Sequence, residues 1–332
     1  MLEQRDIIVV GASAGGLDAL ARLVPDLPRD LGAAVFLVVH TPPHEESFLP
    51  QILTRWGPLK ASHAIDGEPI QRGHIYVAPP NRHLVIGARQ IHVALGPREN
   101  FHRPAVDPLF RSAADAHGPC VIGVVLSGSR DDGAAGLASV KAAGGVAVVQ
   151  DPEDAVIPGM PRSALEVTDV DHILPAAALA PLLVRLVKER LDVPAARALG
   201  GDGEEEVASA SVQPPPGGAT LSCPECGGVL QESHARAGGI HYRCRVGHAF
   251  SEQALLTAQA ETLETALWAA LQALEDRQDI ARRIAERARR EGRPQTMALF
   301  EGRERDAGTR AELIRAVLLG NGGVGGEVEK ST

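Results

Sequence analysis

Ile7-Ile8-Val9-Val10-Gly11-Ala12-Ser13-Ala14-Gly15-Gly16 is the stretch that decides the fold. Its four β-branched residues predict a short, fully buried strand. Three glycines around Ser13 predict a sharp turn, and Leu17-Asp18-Ala19-Leu20-Ala21-Arg22-Leu23-Val24 then runs at helical spacing. A strand–turn–helix exposes the serine hydroxyl at the carboxyl edge of a sheet, beside a helix N-terminus. That position suits a nucleophile, and it suits a bound phosphate equally well. Gly11-x-Ser13-x-x-Gly16 is one residue away from the dinucleotide fingerprint. The middle position there is glycine, because the backbone must approach the pyrophosphate closely. Serine weakens that reading, but the stretch by itself leaves both open.

Working outward, solid apolar runs alternate with helical patterns as far as residue 190. Strands are predicted at Ile7–Val10, Ala34–Val39, His74–Ala78, Leu84–Ile86, Val121–Leu126 and Val146–Val149. Helices are predicted at Leu17–Leu27, Phe48–Thr54, Val106–Ala116, Gly133–Ala143, Ser163–Glu166 and Ala176–Glu189. Apolar strands separated by helices predict an α/β fold, a doubly wound and mainly parallel sheet covered on both faces. Close-spaced turns between Asp66 and Ile91 predict an antiparallel excursion at the sheet edge.

Composition limits the function. The chain has 332 residues, 44% of them apolar and only 3% aromatic, so a sizeable core must be built from Val, Leu, Ile and Ala. A net charge of −9 argues against general nucleic-acid binding, which needs a basic face. No apolar run reaches the length of a membrane span. The polar start is not that of a signal peptide, and four cysteines with one Cys-x-x-Cys predict a reducing, cytoplasmic setting.

Two further strand ends discriminate between the readings of Ser13. The strand Ala34–Val39 ends in His40, where a dinucleotide fold needs an acidic residue for the ribose hydroxyl. The strand Val121–Leu126 runs into Ser127-Gly128-Ser129-Arg130-Asp131-Asp132-Gly133. A serine, a histidine and a carboxylate thus each follow a strand of one parallel sheet, whose carboxyl ends share one edge. Serine needs a base to take its proton, and the base needs a carboxylate to orient it. The order Ser…His…Asp is not that of the α/β-hydrolases. Spacing alone does not choose between Asp131 and Asp132; Asp132 is preferred because a helix begins just beyond it. His44 is the alternative base. His63, His74, His83, His92, His102, His117 and His172 are read as surface or loop residues, and Cys120 as a buried small hydrophobe.

In six segments the chain resembles the catalytic domain of the chemotaxis protein-glutamate methylesterases, the CheB family. The segments are Gly11–Gly16, Val39-His40-Thr41-Pro42, Ile75–Leu84, Arg103-Pro104-Ala105-Val106-Asp107-Pro108-Leu109-Phe110, Leu126–Ala134 and Gly159-Met160-Pro161-Arg162. They fall in the family's order and cover residues 6 to about 185. The resemblance implies hydrolysis of glutamate γ-methyl esters on the cytoplasmic helices of chemoreceptors, often with glutamine deamidation, and no cofactor for catalysis. Its catalytic residues carry over as Ser13, His40 and Asp132. Its oxyanion donors fall at the backbone of Ala14 and Ser129. Arg103 and Asp107 fall in the substrate groove, with a salt bridge or helix cap as the plain alternative. Met160 falls at the site wall, with core packing as its alternative. The chain departs from the family at Ala14, usually threonine, and in the loop before Asp132, usually Thr-Gly-Met-Gly-x-Asp. Arg130 there replaces a glycine at the mouth of the site. Well-known members carry a receiver domain ahead of this strand, so that control in cis is expected to be absent. The competing class is a non-catalytic signalling adaptor that keeps the fold for binding.

Residues 1–190 are therefore read as the methylesterase-like domain and 191–220, rich in Gly, Glu and Pro, as a flexible linker. Cys223-Pro224-Glu225-Cys226 and Cys244-Arg245-Val246-Gly247-His248 predict a four-ligand structural zinc in a ribbon-like module over 221–251, with His234 or His241 as substitutes for His248. Apolar stripes through Leu256, Leu263, Leu267, Ala270, Leu274, Ala281 and Ile284, and through Met297, Phe300, Ala307, Ala311, Ile314 and Leu318, predict two helices over 252–319. An antiparallel hairpin or a coiled-coil homodimer would bury both, and the hairpin is preferred. The Gly-rich tail, 320–332, is read as disordered.

Overall fold

The computed structural model describes residues 3–41, 47–191, 221–234 and 240–320. The proposed linker, the tail and His44 lie outside the described residues. Seven strands form one all-parallel sheet in the order β10-β9-β8-β2-β3-β5-β4. They are β2 (Ile7–Ala12), β3 (Ala34–Val39), β4 (Lys60–His63), β5 (His74–Val77), β8 (Val121–Val125), β9 (Val146–Gln150) and β10 (His172–Leu174). β1 (Glu3–Gln4) and β11 (Arg190–Leu191) pair separately. Every residue of β2 and β3 is buried, as unbroken apolar runs between two helical layers must be. One layer holds α1 (Gly16–Leu23), α2 (Leu49–Trp56) and α6 (Ala176–Lys188), whose Leu20, Leu53 and Leu183 meet one face of the sheet. The other holds α3 (Val106–His117), α4 (Ala134–Ala142) and α5 (Gly159–Val167), through Phe110, Leu137 and Ala164.

β2 sits between β3 and β8, so successive connections leave it toward opposite edges. That is the switch point of a doubly wound sheet, where the loops part and a crevice opens at the carboxyl ends. The turn after β2 depends on Gly15 at φ +77°, where a Cβ would lie 2.6 Å from both Ser127 Oγ and Val156 Cβ.

The excursion at the edge needs correction. Its antiparallel part is β6 (His83–Ile86) with β7 (Ile91–Ala94) and a bridge between Pro69 and Gln90, and the two strands form a hairpin apart from the main sheet. His74–Val77 is a parallel strand of that sheet, and β4 beyond it was not legible because Lys60-Ala61-Ser62-His63 lacks an apolar run. Cys120 is half-buried rather than buried.

The chain forms two compact units, dividing after Leu255. The first includes the cysteine segment, in which β12 (Leu230–His234), β13 (Ile240–Cys244) and β14 (Ala249–Ser251) form an antiparallel sheet. In the second, α7 (Glu252–Arg290) beyond Leu255 and α8 (Pro294–Gly320) run antiparallel, with Arg289 on Glu301 at 2.7 Å and Arg315 on Glu275. The buried seam is Leu271, Ala281, Ala285, Ala288, Ala307 and Ala311; small alanines let the helices approach closely. Leu256 and Leu263, assigned to the apolar stripe, are exposed.

Candidate active site

Ser13 leaves the end of β2, and its amide donates to the carbonyl of Ser127 at 2.9 Å, which ties it to the loop after β8. His40 leaves the end of β3, and its amide donates to the carbonyl of Ala12, the residue before Ser13, at 3.1 Å. The two side chains therefore start from adjoining strand ends. Asp132 comes from the loop after β8, two residues before α4.

His40 Nε2 lies 2.8 Å from Asp132 Oδ2, and the two side chains are 6% and 1% exposed. The other ring nitrogen, Nδ1, is buried without a hydrogen-bond partner among the described residues. With Asp132 holding Nε2–H, Nδ1 carries the basic lone pair. Ser13 Oγ makes no hydrogen bond among the described residues; such catalytic bonds often close only when substrate binds.

Asp132 is held at four points. Oδ2 also accepts from the Val106 amide at 2.7 Å, and Oδ1 accepts from Asn100 Nδ2 at 3.0 Å and from the Asp107 amide at 3.2 Å. Two of these donors are the first amides of α3, where the helix dipole favours an anion. Burial alone would raise its pKa. The hydrogen bond and charge of His40, with help from His102 and the Val106 amide, hold it well below the usual carboxylate range instead. Burial and the nearby Asp132 charge push Asp107 the other way, well above its ordinary value. Asp107 accepts from the amides of Gly133 and Gly136 and from Asn100, so it braces the start of α4 and does not line a groove.

The amides of Ala14 and Ser129 make no intramolecular hydrogen bond among the described residues. Met160 is 1% exposed and packs where a Cβ on Gly128 would lie 2.0 Å from its sulfur and 2.9 Å from Ser13 Cβ. It is a core residue that shapes the loop beneath Ser13. Arg103 donates twice to Asn81 Oδ1 and once to the Gly96 carbonyl, so most of its guanidinium ties loops together. Asp131 is buried and bonded to Ser251 Oγ, away from the imidazole; geometry separates it from Asp132 where spacing did not.

Of the histidines read as surface or loop residues, His83 is neither, and His102 lies in a loop but is not an open surface residue. His83 is buried against the Pro97 carbonyl. His102 stacks on His40 with ring centroids 3.5 Å apart and 8° between planes. Burial, then the neighbouring His40, lowers its pKa to about 4, so at neutral pH it meets the His40 ring as a neutral partner. Asn100 was missed altogether. Its sequence signal is weak: a polar residue four before Pro104 shows nothing until the turn brings it under Asp132.

Cys223, Cys226, Cys244 and His248 converge, with all four ligand atoms within 4.8 Å of one another. Cys226 Sγ is 3.6 Å from Cys244 Sγ, and His248 Nδ1 is 3.7 Å from Cys223 and 3.5 Å from Cys244. Four ligand atoms at these separations could hold one metal ion, and the thiols form no disulfide. The set fits a metal ion and leaves no position for a reacting water.

Fold and site together define a class: a doubly wound α/β domain whose switch point carries a buried His40–Asp132 pair beside the strand end that bears Ser13. A family model described as CheB methylesterase matches residues 8–183, more than half of the chain. The chain belongs to the CheB methylesterase family. It is 40% identical over 188 residues to a Leptospira interrogans protein named for protein-glutamate methylesterase and protein-glutamine glutaminase activities, covering 56% of this chain and 97% of that protein. A Methanosarcina mazei protein-glutamate methylesterase/protein-glutamine glutaminase 2 is 34% identical over 192 residues, 55% of this chain and 52% of that one. Of such longer relatives the chain spans about half the length. The crystal structure of the Thermotoga maritima CheB methylesterase catalytic domain is matched over its whole chain and 56% of this one, at 33% identity and a TM-score of 0.54. Among the described residues no helix is long and apolar enough to cross a membrane.

Proposed function

We propose that the chain hydrolyses glutamate γ-methyl esters on helical segments of chemoreceptor-like signalling proteins, and the γ-amide of glutamine at the same site. The observation that carries this reading is the buried His40–Asp132 pair at 2.8 Å, beside the strand end that bears Ser13. Asp132 holds Nε2–H, so Nδ1 takes the Ser13 proton as Oγ bonds to the carbonyl carbon. The carbonyl electron pair moves to oxygen, where the amides of Ala14 and Ser129 and the N-terminus of α1 receive it. One such donor contributes roughly 3–4 kcal/mol elsewhere. The C–OCH3 bond then breaks and methanol leaves with the proton from His40. Water repeats the sequence on the acyl-enzyme and leaves a free carboxylate. An amide substrate releases ammonia by the same steps.

The cysteine site supports a structural zinc. Sulfur ligands at about 2.3 Å around a tetrahedral ion lie roughly 3.8 Å apart, close to the separations here. When bound, the ion cross-links two knuckles and supplies no catalytic step. Free thiols support a reducing, cytoplasmic setting. Exposed Leu263, Ile280 and Leu313 on the helical hairpin support self-association.

The decisive experiment is methanol release from a methylated receptor fragment, with fluorophosphonate labelling of Ser13 alongside. Ser13→Ala should abolish both and leave the melting curve in place. Turnover by that variant would end the esterase reading, and a wild type silent in both assays would favour an adaptor.

A further inference from the structure

The cysteine module lies against the loop that carries the support of Asp132. β14 starts one residue after the ligand His248, and Ala249 forms a parallel bridge with Glu99. The Asn100 amide donates to the Ala249 carbonyl at 3.0 Å, and the Ala249 amide to the Arg98 carbonyl at 3.4 Å. Three residues beyond His248, the Ser251 amide donates to Asn100 Oδ1 at 3.1 Å. That bond leaves both Nδ2 hydrogens of Asn100 for the carboxylates of Asp107 and Asp132. The Ser251 hydroxyl donates to Asp131, the neighbour of Asp132. One residue of the module thus braces both the amide that holds the catalytic carboxylate and the backbone that bears it.

The braced loop closes one turn of its own, by two backbone bonds between Glu99 and His102, and Arg111 of α3 pairs with Glu99, but its strained residues lean on the module as well. Asn100 and Phe101 sit at φ 49° and 71°, in the left-handed region that a bulky residue such as phenylalanine avoids. Such residues persist only where their surroundings over-determine them. Here Phe250 of β14 packs edge-on against Phe101 at 5.5 Å, and the Arg130 guanidinium covers its ring at 4.6 Å. Among the described residues the module has a core of six buried residues: Cys223, Leu230, Cys244, Phe250, Ala254 and Leu255. Two of them are ligands. A core of that size does not fold a sheet alone; a metal staple supplies the difference.

We propose that metal capture by Cys223, Cys226, Cys244 and His248 sets the activity of the ester site, with Ser251 and Asn100 as positioning residues that keep Asp132 in register with His40. This rests on the esterase reading and on the metal reading above. Cys226 is the exposed ligand, so Cys226→Ser removes a ligand and leaves the module core intact. In the full chain this variant should lose its zinc by mass spectrometry. Its kcat should fall about tenfold or more, with KM changed far less, because misplaced catalytic groups lose rate before they lose binding. Deuterium exchange should rise at residues 98–102 and 249–251 but not in β2 or β3. Ser251→Ala keeps every ligand and should keep zinc, yet show a smaller loss of kcat and the same local exchange. Loss of zinc with kcat and exchange unchanged would overturn the proposal and leave the esterase reading standing. A wild type without zinc would overturn the metal reading and this proposal together. A wild type whose Ser13 resists fluorophosphonate would do the same to the esterase reading.

Discussion

The rim of the parallel sheet and the cysteine module solve the same problem by different physics. Each must bring side chains from separate places to a spacing of a few ångströms. The rim brings His40 and Asp132 to 2.8 Å across 92 positions, beside the strand end that bears Ser13, on a sheet whose ladders and apolar layers are already complete. The module draws four ligands from 26 positions and has almost no core beneath them. Long-range convergence is stable where the scaffold is large, and short-range convergence needs a bond of its own where it is small.

That contrast can be broken at either end. The largest effect in free energy should come from stripping the metal, since structural zinc sites in small peptides contribute about 10–16 kcal/mol. A chelator should melt 221–251, seen as complete deuterium exchange in β12–β14, while the seven-stranded sheet stays protected. Next comes Asp132→Asn, which keeps the shape but removes the charge behind His40. kcat should fall about 10⁴-fold, read by single-turnover methanol release, and the melting temperature should fall too, because the new NH2 faces two of the four buried donors that the carboxylate accepts from.

His102 sharpens the comparison through pH. Between about 4 and its ordinary 6.5 the unfolded chain binds a proton that the folded ring refuses. Stability therefore rises with pH across that window and is fully present above it. The change should be about 3 kcal/mol at most, measured as urea midpoints, and His102→Gln should flatten the slope. The smallest effect expected is Gly15→Ala. Its Cβ would press on Ser127 and Val156 at 2.6 Å from a left-handed backbone, costing about 1–3 kcal/mol in chemical denaturation.

The rim was legible because apolar runs followed by single polar residues, at Ser13 and at His40, mark strand ends whatever the surroundings. The Cys knuckles were legible because close ligand pairs have few other uses. Asn100 and His102 were not. Each lies in a turn of ordinary composition, and each acquires its role only from what the fold stacks on it. The same holds for Lys60–His63, which pairs as an edge strand without an apolar signature of its own.

Local chemistry in the sequence was enough to mark the doubly wound sheet, the strand ends that bear Ser13 and His40, and the Cys3His cluster, because burial patterns and ligand spacing act over a few residues. Only the tertiary structure decided which imidazole nitrogen faces Asp132, which of two adjacent aspartates serves it, and that the cysteine module leans on its support. Those outcomes depend on directions and distances between segments far apart in the chain, and no short stretch encodes them.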